Sequence, residues 1–225
     1  MQNTNHFVLF SNIKGGVGKS CLCTVFAHYL KSKGENLVVV DADSQRTVVR
    51  MRERDLENNP EAETPWNVIS VFDYANGDVT KIIPTLKNQK GWILVDCPGN
   101  MEVDRLIPLF EAADFVVVPL SYEATDVDAA LNLFVPVFKI KNDKAKFIFV
   151  PNRINETAQK GIEELRAERN KIKSQLLEHG DVTARIKQSV VLEPHRYNTI
   201  NSLDNYQYKA VEHAFDKVKE LIENE

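Results

Sequence analysis

Lys14–Ser20 reads KGGVGKS and follows closely on the apolar run Phe7–Phe10. The ordinary phosphate-loop spacing asks for glycine at position 13, where this chain has Ile13. Gly15, Gly16 and Gly18 still leave a loop of little bulk, whose amides can turn inward onto phosphate oxygens at the head of a helix. Lys19 supplies a point charge for those oxygens, and Ser20 a hydroxyl suited to magnesium. Lys14 lies upstream of the glycines, where it need not touch phosphates held by its own loop. A second lysine offered outward suggests a partner subunit. The plain alternative is a glycine-rich turn with incidental lysines. The strand before it, the helical pattern over Ser20–Lys33 after it, and two further motifs in order weigh against that alternative.

The first of these is Leu37–Asp43, LVVVDAD, an aliphatic run ending in two carboxylates. Such a run is buried on both faces, as in a parallel sheet, so Asp41 and Asp43 emerge at the strand's C-terminal edge, where open α/β sheets place ligands. Capping of the next helix is the alternative job for either aspartate. The second is Trp92–Gly99, WILVDCPG, another apolar strand ending in Asp96 and a Pro-Gly turn. Asp96 stands where a magnesium-holding carboxylate is needed. Gly99 can bring an amide near a terminal phosphate, which makes Asp96–Asn100 a candidate switch segment, although D-x-P-G is also an ordinary turn. A fourth strand, Lys146–Val150, leads to Pro151, Asn152 and Arg153. Asn152 carries both a donor and an acceptor.

Together these residues resemble the ParA/MinD group of deviant Walker A P-loop ATPases, and within it the short ParA-type partition proteins. The resemblance implies an ATP and Mg2+ site built from Lys14, Gly15, Gly16, Val17, Gly18, Lys19, Ser20 and Cys21, with Ser20 and Asp96 on the metal and Asp41 nearer its outer shell. It implies that Asp43 orients the attacking water, that Lys19 and Lys14 act on the phosphates, and that Lys14 reaches across a nucleotide sandwich dimer. Gly99 would sense the γ-phosphate, and Asn152 and Arg153 would lie against the adenine. It further implies a homodimer formed on ATP binding, nonspecific DNA binding, and a ParB-like centromere-binding partner that stimulates hydrolysis.

Strand and helix patterns alternate along the chain, with strands expected near 6–11, 37–41, 67–72, 92–96, 114–120, 146–150 and 182–186. Alternation of this kind predicts an α/β fold: a doubly wound, mostly parallel sheet with helices on both faces. One domain over residues 1–225 is the simplest organisation, with no residues before the first strand to form an extra DNA-binding domain. A formal net charge of −4 excludes an overall basic protein and leaves DNA binding to a local patch. The candidates are Lys160, Arg166, Arg169, Lys171 and Lys173 on a long polar helix over 156–178, with Arg185, Lys187 and Arg196. Arg46–Asn59 reads as a solvated helix of mixed charge or a nucleotide-responsive one.

Three cysteines, no secretory signal and no membrane-crossing stretch point to a reducing cytoplasm. A metallocluster or metabolic ATPase of the same group is disfavoured, because Cys97 lacks a companion near the nucleotide motifs and Cys21 and Cys23 face different ways. A MinD-like membrane-associated ATPase is disfavoured too. On the C-terminal helix Lys209, Lys217 and Lys219 are outnumbered by Glu212, Asp216, Glu220, Glu223 and Glu225, whereas a helix on anionic lipid is basic. Its stripe of Val211, Ala214, Phe215, Val218, Leu221 and Ile222 suits packing on the sheet, with no membrane contact.

Overall fold

A computed structural model describes residues 5–74, 78–99, 104–155 and 162–225, the Ile162 side chain excepted. Lys160 and Asn100 therefore lie outside the described residues. Among the described residues seven strands form one sheet: β1 (Asn5–Phe10), β2 (Leu37–Asp41), β3 (Asn67–Ser70), β4 (Gly91–Asp96), β5 (Phe115–Leu120), β6 (Lys146–Pro151) and β7 (Asp181–Val182). Their order is β3-β2-β4-β1-β5-β6-β7, and every pairing is parallel. The expected α/β class is borne out.

Successive residues of each strand feed opposite faces, as the pleat requires. Phe7, Leu9, Val38, Val40, Ile93 and Val95 join one core, with α3 (Val79–Lys87), α4 (Ile107–Ala112), α6 (Val135–Lys141) and α7 (Ile162–Leu177) laid over it. Val8, Phe10, Val39 and Leu94 join the other, under α1 (Lys19–Ser32), α2 (Thr47–Asn58) and α8 (Asn205–Glu223). The α8 stripe is spent here: Val211, Phe215, Val218 and Ile222 are buried, and Phe215 meets Phe26 edge-on at 4.9 Å. Asp204 and Gln207 close its N-terminus in a reciprocal capping box.

After β5 the chain forms α5 (Ala124–Asp128), a π-helical turn (Ala129–Phe134) and α6 in one run. The widened turn sits just before Pro136, whose missing N–H would interrupt a regular ladder. The seventh strand is shorter than 182–186. Pro151, at the end of β6, has no N–H for a ladder, so the chain continues irregularly, with Ile186 N donating to Pro151 O at 2.7 Å. The third strand stops at Ser70, where its hydroxyl accepts from Phe72 N at 3.2 Å and turns the chain. The solvated reading of α2 is corrected in part. Arg52 and Asp55 are buried, because the segment around Thr199 covers that face.

Register positions the site. Phe10 and Asp41 both pair with Asp96, so β1, β2 and β4 end level. The loops that follow them open together on one edge.

Candidate nucleotide site

The loop after β1 is pinned before it reaches its glycines. Asn12, fully buried, donates from Nδ2 to Pro119 O at 2.8 Å, and its Oδ1 accepts from Lys14 N at 3.2 Å. Gly16 and Gly18 then take φ of +76° and +99°, which only glycine adopts cheaply. At Gly18 there is also no room for more, since a Cβ would stand 2.4 Å from Asn152 Nδ2. That amide donates to Val17 O at 2.9 Å, and Arg153 Nη1 donates to Gly16 O at 2.6 Å. Asn152 and Arg153 thus buttress the loop from the β6 side.

Lys19 opens α1 and is 9% exposed. Its ammonium donates to Lys14 O at 3.1 Å, and Gly99 approaches so closely that a Cβ there would lie 3.5 Å from Nζ. Burial lowers the Lys19 pKa, and Asp96, Cys97 and Asp43 oppose the shift. A buried ammonium resting on one carbonyl is primed for an anion.

Asp96 is fully buried, and neither carboxylate oxygen has a hydrogen-bond partner among the described residues. Burial pushes its carboxyl up to about 8; Asp41 and Asp43 add to the rise, while the Ser20 hydroxyl and Lys19 oppose it. The hydroxyl faces the carboxyl without meeting hydrogen-bond geometry. Orphaned buried oxygens are costly unless something occupies them. An all-oxygen pair of Asp96 and Ser20 beside a phosphate loop fits Mg2+, which keeps most of its waters and takes one or two protein ligands. Such an ion, when bound, neutralises phosphate charge.

Asp41 has a structural job. Its Oδ2 accepts from Val48 N at 2.9 Å and Val49 N at 3.0 Å, and its Oδ1 from Asp43 N at 3.2 Å. It caps α2 from the end of β2, and burial raises its pKa against those three amides. Asp43 is half-buried, its Oδ1 accepting from Gln45 N at 2.9 Å. It sits close enough to Lys19 and Asp96 to act on both electrostatically.

Lys14 turns its side chain away from its own loop. Its Nζ lies 3.6 Å from Asp126 Oδ1, and the side chain is 38% exposed. The other Asp126 oxygen is held by Ser121, whose hydroxyl donates at 2.7 Å. Beside Gly18 and Cys21, a narrow cleft of about 50 Å³ is walled by Asn152, Arg153 and the segment Lys187–Pro194. That is room for one or two waters and no more. Cys21 reaches Leu192 O at 3.4 Å, and burial pushes its thiol up to about 11.

The motif residues from Lys14 to Ser20, with Asp43, Asp96 and Gly99, come together at one edge. Sequence reasoning missed Asn12, Ser121, Asp126 and the 187–194 wall. Of these only Asn12 carried a local signal, an Asx residue two before Lys14.

The CobQ/CobB/MinD/ParA nucleotide binding domain model matches residues 8–190. The chain belongs to that family. No curated protein matches the sequence. Among solved structures, a Borrelia burgdorferi B31 plasmid partition protein bound to AMPPNP superimposes with a TM-score of 0.72 at 17% identity, over 97% of this chain and 100% of that one. The Aquifex aeolicus MinD cell division protein gives 0.69 at 17% over 96% of each chain. The Pyrococcus horikoshii septum site-determining protein MinD complexed with Mg-ADP gives 0.66 at 15% over 97% of each. The fold is that of ParA/MinD proteins, as the motifs implied.

Proposed function

We propose that this chain is a ParA-like ATPase that partitions DNA, acting as a single domain. ATP and Mg2+ bind at the loop, with Ser20 and Asp96 on the metal and Asp43 orienting the attacking water. Two subunits close face to face, and Lys14 of each completes the other's phosphate site. The dimer holds DNA nonspecifically through a basic face, and a ParB-like partner stimulates hydrolysis and releases it. The observation that carries this reading is the Lys14 side chain, directed to Asp126 and solvent while its own carbonyl supports Lys19. A lysine serving only its own phosphates would point into the loop.

Two observations favour this over its relatives. Cys97 is 1% exposed, with burial raising its thiol pKa far above the ordinary value, which does not suit a cluster ligand at a dimer axis. The acidic polar face of α8 does not suit anionic lipid.

The test is binding of random-sequence duplex DNA with Mg2+ and ATP, with ADP, and without nucleotide, at two salt concentrations. ATP-dependent binding that weakens steeply with salt is the expected result. Absence of binding in every nucleotide state would remove DNA from the mechanism and leave a cargo or metabolic ATPase.

A further inference from the structure

Helical geometry divides the charges of α7 between two basins. Glu168, Lys171, Gln175 and Glu178 line one of them with Asp128, so its cation sits among acids. The other is a cavity of about 460 Å³ whose charged lining among the described residues is Arg166, Arg169, Lys173 and Arg185, with no carboxylate among them. Its aromatic wall is Tyr122, with the Arg169 guanidinium 5.8 Å from the ring centroid. Arg169 is fixed further by donating to Asn155 O at 3.2 Å. Arg166 and Lys173 are exposed and make no ion pair with a described acid. In a chain of net charge −4, a concave surface with four cations and no acid among its described residues is a local reversal of sign.

We infer that this basin is the surface that contacts the phosphate backbone of DNA, whereas Lys171 on the opposite flank of α7 does not. The inference rests on the partition reading and gives it a location. Charge complementarity selects the ligand class. Closely spaced cations on a helix flank, with Arg169 among them fixed by an aromatic ring and a backbone carbonyl, suit a polyanion with evenly spaced charges. Tyr122 also explains why contact follows the nucleotide. It lies next to Ser121, whose hydroxyl donates to Asp126 of α5, the acid that faces Lys14 at 3.6 Å. When Lys14 leaves Asp126 for a partner's phosphates, the wall of the basin is joined through Ser121 to the acid that loses its cation.

The experiment measures duplex-DNA affinity with Mg2+ and ATP across a salt series for wild type, for Arg166→Gln with Lys173→Gln, for each of these alone, and for Lys171→Gln as a control matched in charge to the single variants. ATP binding by each variant is measured in parallel to establish folding. The slope of log K against log salt falls by about 0.9 for each phosphate contact removed. The double variant is expected to bind more weakly with a slope shallower by about 1.8 per basin engaged, and Lys171→Gln to keep the wild-type slope. A double variant that folds and keeps the wild-type slope overturns the basin while leaving DNA binding intact. An equal loss in Lys171→Gln also overturns it, by spreading contact around the helix. Wild type that binds no DNA with ATP overturns the partition reading itself, and the basin's role with it.

Discussion

Thr199→Val removes one hydroxyl from a fully buried site at nearly constant volume. Thr199 Oγ1 accepts from Arg52 Nε at 2.9 Å and donates to Asp55 Oδ2 at 2.9 Å. The backbone of Thr199 repeats the pattern, its carbonyl accepting from Arg52 Nη2 at 3.0 Å and its N–H donating to Asp55 Oδ2 at 2.7 Å. Arg52 also donates to Trp66 O at 2.9 Å and lies 4.5 Å from the centre of that indole. Valine leaves Arg52 Nε without an acceptor and Asp55 one donor short. Hydrogen bonds to charged groups contribute about 1.5–3 kcal/mol each, so with two lost and the two backbone bonds persisting the loss falls at about 3–6 kcal/mol. A chain of this size loses roughly 2–4 °C of Tm per kcal/mol, giving a fall of roughly 6–24 °C. Urea and thermal unfolding of wild type, Thr199→Val and Thr199→Ser measure it, with the serine variant expected within about 1 kcal/mol of wild type. A valine variant that loses less than about 1 kcal/mol at unchanged m-value would refute the reasoning, because Arg52 and Asp55 would then not need the hydroxyl.

Three further outcomes follow from the site. Gly18→Ala must adopt φ of +99° and displace Asn152 from Val17 O; a free loop that relaxes to escape strain of about 1–3 kcal/mol binds nucleotide roughly 5- to 150-fold more weakly, and unchanged affinity in a titration would contradict the close approach. Lys14→Ala is expected to retain ATP binding and lose turnover, by roughly 10³–10⁵ if the lysine acts as arginine fingers do, and full turnover would end its cross-subunit role. Burial lowers His28 to about 4, with its Nε2 hydrogen-bonded to Asn198 O at 2.8 Å. The unfolded chain then binds more protons between pH 6.5 and about 4, so this residue's contribution of about 3 kcal/mol is present above that window and lost as pH falls through it. Stability of wild type minus His28→Gln across pH 4–7 isolates the effect, and a flat difference would refute it.

What was legible in the sequence was local in the chain. KGGVGKS, LVVVDAD and WILVDCPG each bring their chemistry on consecutive residues, and continuous aliphatic runs mark strands covered on both faces. The illegible part consists of contacts between distant segments. Nothing near Arg52 shows that its helix face meets Thr199, so a mixed-charge helix reads as solvated until the fold covers it. Asp126 likewise has no signal beyond being an acid at a helix start, and only the side-by-side exit of β1 and β5 brings it to Lys14. Asp41 shows a third case. The sequence left metal shell and helix cap open, and the bonds from Val48 N and Val49 N show it capping α2 while Asp43 N turns the chain onto its other oxygen.

The site's accuracy depends on core packing well away from it. Asp96 reaches the loop because β4 is in register with both β1 and β2, so that Asp96 stands opposite Phe10 and Asp41. A one-residue slip of β4 would turn Asp96 to the other face and replace its carboxyl with the Val95 or Cys97 side chain. Alternation into two different cores forbids the slip: Ile93 and Val95 pack on one face, Trp92 and Leu94 on the other. Trp92 holds its end of the strand against Phe26 of α1, the helix that begins at Lys19, with ring centroids 5.8 Å apart. The aromatic core under α1 and the carboxylate beside Lys19 are thus positioned by the same strand. Enlarging or emptying that core shifts Asp96 relative to Lys19 without touching either residue.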